Sequence, residues 1–494
     1  MAYLTQSDIA NLLLENQAGE NFSKIIQDII DTHLSSQDLS EMQEAVRYYN
    51  CDHDINDVDF RTYYVRTEAK TDTNAANNHI VHPFFTLQVD QKAGYIAGNP
   101  IAFGVEGDEE TDKADIINDL LGEDFAELCP QWITRASVRG YEFLHPYINE
   151  HGEFDYVLID AQQCIPVYDS QYQKELIYMI RFYQVDYVDS SGSSQEIYKV
   201  EWWDKNSVTF YTQTGKGSEF VLDPTEAINP RGHFKRANYD GNGNVIPGTE
   251  EWLAWDYGVP FIKLSNNDNE VSDLKTIKPL IDNYDRSVSV NANKLEDITD
   301  AIWELAGYSG TDLAEFRTNL KVFKVINTQE GGSAKPITME IPYEAHNAHL
   351  DKLEDNIYIF GRAVDPRKDK FGNSPSGVAL RYMYILLDLK SNILIRKMKK
   401  SLREFMHFVA QYAEMARSVD VDPAVINFTF NKSILINEFE TVQMLQMSKG
   451  LISDETIVEN HPRVDDPQQE LERMEEDRAL IPDIDLDPEP VNAD

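Results

Sequence analysis

Between residues 343 and 417 the spacing of apolar side chains predicts two helices with a break between them. Leu350, Leu353, Ile357 and Phe360 recur at helical intervals and fall on one face. Ser376, a residue type that caps helix N-termini, begins a stretch without proline until Pro423. Within it Val378, Tyr382, Ile385, Leu389, Ile393, Met398, Leu402, Phe405, Val409 and Tyr412 predict one broad apolar face. A helix over 376–417 would be roughly 60 Å long at about 1.5 Å per residue. Residues 364–376 hold Pro366, Gly372 and Pro375 around the charged run Arg367, Lys368, Asp369 and Lys370. Proline and glycine end both helices, so this segment is expected to project as a loop between two rigid rods. Such a pairing points to a mechanical part rather than to an enzyme core.

The rest of the chain divides by the same criterion. Residues 1–50 are helical in pattern, with Ile9, Leu12 and Leu13, then Ile25, Ile26, Ile29 and Ile30. Residues 52–72 are polar and irregular, and 94–100 (GYIAGNP) predict turns. Helices are expected through Ile116, Leu120 and Leu121 and over 130–140. From 141 to 262 the pattern changes to short aromatic and β-branched runs at 143–147, 156–159, 177–183, 197–203 and 208–211, an antiparallel β-rich unit. Residues 231–248 are a polar insertion. Ser272 caps a third helix, whose face Ile277, Leu280, Ile281, Tyr284, Val288, Leu295, Ile298 and Ile302 would stay apolar, with Pro279 kinking it or moving its start. A small mixed segment follows, with strands expected at 320–326 and 336–341. A short strand at 425–430 and a helix at 439–447 lead to an acidic tail: residues 451–494 hold fifteen acidic residues against three arginines, and the final stretch, 481–490, is expected to be disordered.

Charge narrows the function. Among 494 residues, 85 are acidic and 44 basic, a net charge of −41. Proteins that grip DNA are ordinarily basic, because phosphate contacts supply most of the affinity. At this charge, DNA is either no partner or is meant to pass without sticking. No run of apolar residues is long enough to span a membrane and no leader pattern opens the chain, so neither a membrane nor export is expected. Cys51, Cys129 and Cys164 form no CxxC pair and are expected to be free thiols.

Candidate chemistry is sparse. The phosphate-loop, HExxH and GxSxG patterns are absent. His346 and His349 lack a third ligand and are read as solvated polar residues. Asp240, Asn242, Asn244 and Glu251 imitate a calcium loop, but Val245 stands where glycine is needed and Pro247 interrupts it, so a turn is the better reading. Arg396, Lys397, Lys399, Lys400 and Arg403 form the densest basic cluster, read as a solvated helix face, with acidic neighbours or DNA as the alternative. No cofactor and no metal are expected.

Several segments occur in a telling order: DQKAGYIAGNPI at 90–101, ASVRGY at 136–141, SDLKTIKPLIDNY at 272–284 with LEDI at 295–298, FGNSPSGVAL at 371–380, LISDET at 451–456 and DPQQELE at 466–472. Together they resemble the portal proteins of tailed double-stranded DNA bacteriophages, of the type common in phages of Gram-positive hosts. The resemblance implies an α+β portal fold assembled as a ring. It would comprise an N-terminal helical segment (1–29), a β-rich wing (30–264), a two-helix stem (265–300 and 343–363), a small α/β clip (301–342), a tunnel loop (364–376), a long wing helix (377–417), a helical crown (418–475) and an acidic tail (476–494). It further implies a non-enzymatic DNA conduit at one capsid vertex, twelve subunits round, or thirteen in isolation. Arg367, Lys368, Lys370 and Asn373 would line the DNA channel, and Asp312, Glu315, Arg317 and Glu330 would dock the terminase large subunit. The other implied partners are major capsid and scaffolding proteins, a head-completion adaptor protein and passing double-stranded DNA. The implied location is the virion, with host cytoplasm during assembly. Twelve helices each about 10 Å across would leave an opening of about 28 Å, wide enough for a duplex. The rival readings are an adaptor ring that does not touch DNA and a carboxylate-dependent hydrolase.

Overall fold

The computed structural model describes residues 22–296 except 66, 74, 106–110, 170, 173, 189–193, 216–217, 238–245 and 247, together with 302–306, 333–337, 343–367, 377–432, 438–459, 461, 464, 470–471 and 473–474. The chain forms two compact units, one of residues 1–364 and 386–433, the other of 365–385 and 434–494.

In the first unit, α1 (Phe22–Leu34) and α2 (Gln37–Tyr49) are separated by Ser36, whose hydroxyl accepts from Leu39 N–H and caps α2. A hairpin of β1 (Thr62–Val65) and β2 (Glu68–Thr71) occupies the stretch expected to be irregular. Helix α3 (Phe84–Ala97) replaces the expected turn at 94–100. Phe84, Phe85, Gln88, Val89, Lys92, Ala93, Tyr95 and Ile96 are all buried, and a helix enclosed on most sides shows no amphipathic period. Strand β3 (Ala102–Val105), α4 (Thr111–Leu121) and α5 (Asp124–Arg139) follow, α5 beginning before its expected start and containing Pro130. Gly140 closes α5 at φ +95°, and a β-carbon there would collide with the Glu270 carbonyl. Only glycine fits both demands.

The β-rich unit lies where the sequence placed it. Strands β4 (Tyr141–Ile148) and β5 (Phe154–Ile159) belong to one sheet, while β6 (Cys164–Tyr168), β7 (Leu176–Val188), β8 (Ser194–Trp203), β9 (Val208–Thr214) and β10 (Val221–Leu222) form a five-stranded antiparallel sheet in the order β10-β9-β8-β7-β6. Side chains alternate across it. Ile165, Ile180, Val200 and Trp202 meet Ile26, Ile29 and Ile30 of α1, whereas Met179 and Trp203 join Phe143 and Phe261 in a separate core. The insertion at 231–248 carries β11 (Phe234–Arg236), paired with β12 (Glu251–Leu253). Strand β13 (Ile262–Ser265) completes the sheet β13-β4-β5.

Ser272 caps a short 3-10 turn, Asp273–Thr276, and the helix proper is α6 (Lys278–Glu296). Pro279 sits in its first turn, where a missing N–H removes no helical bond. Its buried residues are Ile281, Asp285, Ser289 and Asn293, while Leu295 is 62% exposed. The expected all-apolar face is thus corrected: beyond Ile281 the buried face is polar. Ile302 is not helical either; it starts β14 (Ile302–Ala306), paired with β15 (Ser333–Ile337). The strand expected at 320–326 lies outside the described residues.

Helix α7 (Tyr343–Gly361) buries Leu353, Ile357, Tyr358 and Gly361, and leaves Phe360 exposed. The long α8 (Gly377–Arg417) spans 41 residues. Its second half buries Met398, Leu402, Phe405 and Val409 as expected, but earlier it buries Leu387, Ser391 and Leu394 while Tyr382, Ile385 and Leu389 face water. Strand β16 (Ile426–Thr429) pairs with β3. In the second unit, α9 (Glu438–Ser448) and α10 (Asp454–Glu459) are helical.

Candidate functional site

The chain leaves α7 through a short, heavily anchored segment, residues 361–364. Helix α7 ends at Gly361. Arg362 takes a left-handed φ of 56°, and Ala363 N–H reaches back to the Tyr358 carbonyl at 3.0 Å, a helix-terminating pattern. Helix α3 supplies the mount. Gln88 Nε2 donates to the Ile357 carbonyl at 3.2 Å, and a β-carbon at Gly361 would strike the Gln88 amide. Gln91 grips Val364 twice: its Nε2 donates to the Val364 carbonyl at 2.9 Å, and Val364 N–H donates to its Oε1 at 2.8 Å.

A buried charge cluster ties the same place to the start of α6 and to α8. Lys390 Nζ donates to the Gly361 carbonyl at 3.0 Å and to Asp273 Oδ2 at 2.9 Å. Lys92 Nζ, 1% exposed, reaches Asp273 Oδ2 at 3.0 Å and Asn266 Oδ1 at 2.5 Å. Asn266 Nδ2 in turn donates to Asp273 Oδ1 at 2.9 Å. Burial alone would raise the Asp273 pKa, but the Lys390 and Lys92 ammoniums and Asn266 outweigh it and hold the carboxyl well below its usual range. Burial pushes the Lys92 ammonium down to about 8, helped by Lys390 and opposed by Asp273. Asp388 forms a neighbouring node, accepting from Tyr95 Oη at 2.9 Å and Lys432 Nζ at 2.5 Å.

Helix α6 is held by a second polar device. Asp285, fully buried, accepts from His53 Nδ1 at 2.6 Å, His82 Nδ1 at 2.8 Å and His82 N–H at 3.0 Å. Ser289 Oγ accepts from Ile80 N–H at 2.9 Å and Asn293 Oδ1 from Asn78 N–H at 2.6 Å. The segment 78–82 is thereby laced at every second residue, through Asn78, Ile80 and His82, onto the buried face of α6.

None of this is a catalytic arrangement: carboxylates are matched by cations or amide donors and aim at no open cleft. No cluster of three metal-ligating side chains occurs among the described residues, and His349 instead stands 3.4 Å from Asn283 Oδ1. Among them, too, no helix is long and apolar enough to cross a membrane.

Comparison with known proteins fits a structural part. Residues 28–481 match the family model described as phage portal protein, SPP1 Gp6-like. The chain belongs to this portal family. It is 32% identical over 465 residues to the portal protein of Bacillus phage SPP1, covering 93% of this chain and 87% of that one. It is 29% identical over 451 residues to the portal protein of Clostridium phage phiCD119, covering 88% of this chain and 92% of the other. Among solved structures it is similar to the neck of a native GTA particle computed with C12 symmetry, at 12% identity and a TM-score of 0.35, over 76% of this chain and 87% of that one, a likeness too distant to place any element.

Of the residues expected to line the portal channel, Arg367 is described. Its guanidinium closes on the neighbouring Asp365 carboxylate through Nε at 2.9 and 3.0 Å and Nη2 at 2.5 Å. Lys368, Lys370 and Asn373 lie outside the described residues, as do Asp312, Glu315, Arg317 and Glu330. The anchoring residues Gln88, Gln91, Lys92, Asp273 and Lys390 escaped the sequence reading. Their signal was present in part, since Gln88, Gln91, Lys92 and Tyr95 place a polar stripe along an otherwise apolar helix.

Proposed function

We propose that twelve copies of this portal protein, or thirteen in isolation, close into a ring that conducts double-stranded DNA at one capsid vertex. The supporting observation is the apolar surface one copy leaves in water. Ile359 is 52% exposed, Phe360 56% and Leu389 56%, while Lys390, next to Leu389, reaches the α7 terminus at Gly361. Bulky side chains left exposed on an acidic chain call for a covering partner, and repeating one contact between identical copies closes a ring.

In that ring, residues 364–376 would form the tunnel loop, rooted by Gln91. With Arg367 neutralised by Asp365, the charge offered to DNA rests on Lys368 and Lys370 against Asp369, or about +12 over twelve copies, a weak and salt-sensitive attraction within an acidic tube. Asn373 would line the same passage. Asp312, Glu315, Arg317 and Glu330 would face the terminase large subunit. The ring would nucleate head assembly with major capsid and scaffolding proteins and receive the head-completion adaptor, first in host cytoplasm and then in the virion. The wing, stem, clip and crown divisions set out above belong to this reading.

Light scattering with negative-stain microscopy tests it. The expected result is particles many times the 56.6 kDa of one chain, with a central opening. A monomer at every concentration, or assemblies without a hole, would refute it.

A further inference from the structure

Two exposed charge arrays in the first unit have opposite sign and no partner large enough among the described residues. On α8, Arg396, Lys399, Lys400 and Arg403 are exposed at helical intervals of three and four, forming one stripe. Lys397 beside them is taken by Asp268 at 2.5 Å. Within the stripe, Lys400 has only Glu404 at 3.6 Å and Lys399 lies 5.8 Å from the Phe430 ring centroid. Arg396 and Arg403 make no salt bridge among the described residues. The second array is a ridge over α4 and α5, where Asp115, Asp119, Glu123, Asp124 and Glu127 are all exposed. There Asp119 pairs with Arg417 at 2.5 Å, and the other four carboxylates have no salt bridge among the described residues.

Their placement decides what they can do. Phe125, between Asp124 and Glu127, stacks on Phe405 with ring centroids 5.6 Å apart, so α5 packs on the Phe405 side of α8. At 3.6 residues per turn, the 396–403 stripe is centred on the opposite side of α8 from Phe405. One chain therefore cannot bring its own stripe and ridge together, whereas two copies can. We propose that the basic stripe of α8 docks on the acidic α4–α5 ridge of a second copy of this chain. This rests on the ring reading above and supplies it with a polar, head-to-tail contact of the kind that closes rings. A passing DNA strand is the less favoured occupant, because four cations on a chain of net charge −41 sit in a field that repels phosphates. The ridge meanwhile offers four carboxylates besides Asp119, which Arg417 already holds.

Charge reversal tests the match. One variant carries Lys399→Glu, Lys400→Glu and Arg403→Glu; a second carries Asp115→Lys, Glu123→Lys and Glu127→Lys; a third carries all six. At low ionic strength, each of the first two should raise the concentration needed for half-assembly by about tenfold, and the third should recover most of that loss. A separate arm stands if a reversal impairs folding: in a Cys51→Ser background, chains bearing Lys400→Cys are mixed with chains bearing Glu123→Cys and oxidised, and a cross-linked heterodimer is expected. Native-like assembly of both reversals, or absence of the mixed cross-link within formed rings, overturns the docking and leaves the ring reading standing. Stripe-reversed rings that assemble normally but retain less DNA also overturn it, assigning the stripe to DNA. A native chain that never assembles fails the ring reading itself, and the docking with it.

Discussion

Helix α6 and the second half of α8 are both long, both packed in the first unit, and held by opposite means. Helix α8 buries Met398, Leu402, Phe405, Met406 and Val409, each at most 1% exposed. Helix α6 buries Asp285, Ser289 and Asn293 against the polar backbone of residues 78–82. Apolar contact is strong but without direction, so α8 owes its hold to area and shape. Each bond of the α6 ladder adds only about 1 kcal/mol net, but a one-residue slip would strand several buried polar groups at once. One region is built for strength and the other for register.

Removing the largest apolar contact should have the greatest effect. Phe405 packs against Phe125, Phe154 and Tyr156, and Phe405→Ala should cost about 3–5 kcal/mol in urea unfolding followed by tryptophan fluorescence. A cost below that of a surface substitution would break the contrast.

The hub of the ladder comes next. Asp285→Ala strands two imidazoles and a backbone amide, and should cost about 3 kcal/mol, with Ser289→Ala near 1 kcal/mol. The sharper readout is hydrogen exchange. The Ile80 and His82 amides should exchange faster in Asp285→Ala than in Phe405→Ala, whatever the global stabilities. Equal exchange in the two variants would mean that the ladder does not set register.

Part of this division is legible in the sequence and part is not. The isoleucines of α1, the strand alternation in 177–203 and the length of α8 all follow from periodicity, because in each a single face is buried. The reading of α6 failed because the buried positions Asp285, Ser289 and Asn293 are polar. Their partners are main-chain amides and, for Asp285, the histidines His53 and His82, 232 and 203 residues away in sequence, which leave no mark in the helix's own pattern. The first half of α8 is apolar on two sides, so Ile385 and Leu389 competed with Leu387 and Leu394 for the inward face. Only contact with the rest of the fold resolved them. After Val364 the sequence shows the balance of charges, but not that Arg367 is the cation that closes on Asp365.

The smallest expected effect concerns pH and the charge cluster joining the two styles of packing. Lys92 has a folded pKa of about 8 against the ordinary 10.5. Between those values the unfolded chain binds more protons, so this group makes stability rise with pH across that window. Asp273 acts at the other end: its folded pKa lies below the ordinary 3.8, so its contribution is present above that value and is lost as pH falls through the folded pKa. Lys92→Met should therefore flatten the alkaline rise in urea midpoint and shrink the acid loss without abolishing it, since Lys390 and Asn266 still hold Asp273 down. An unchanged alkaline slope would remove Lys92 from the account.

The grip of Gln91 on Val364 has a consequence for how this protein can change. An amide that both donates to and accepts from one residue's main chain recognises no side chain. Whatever follows Val364 can be rewritten without loosening this grip, so the segments that follow this position in distant relatives should be interchangeable as cassettes on one mount. Diversity there leaves the frame undisturbed, and it can accumulate while the frame stays fixed.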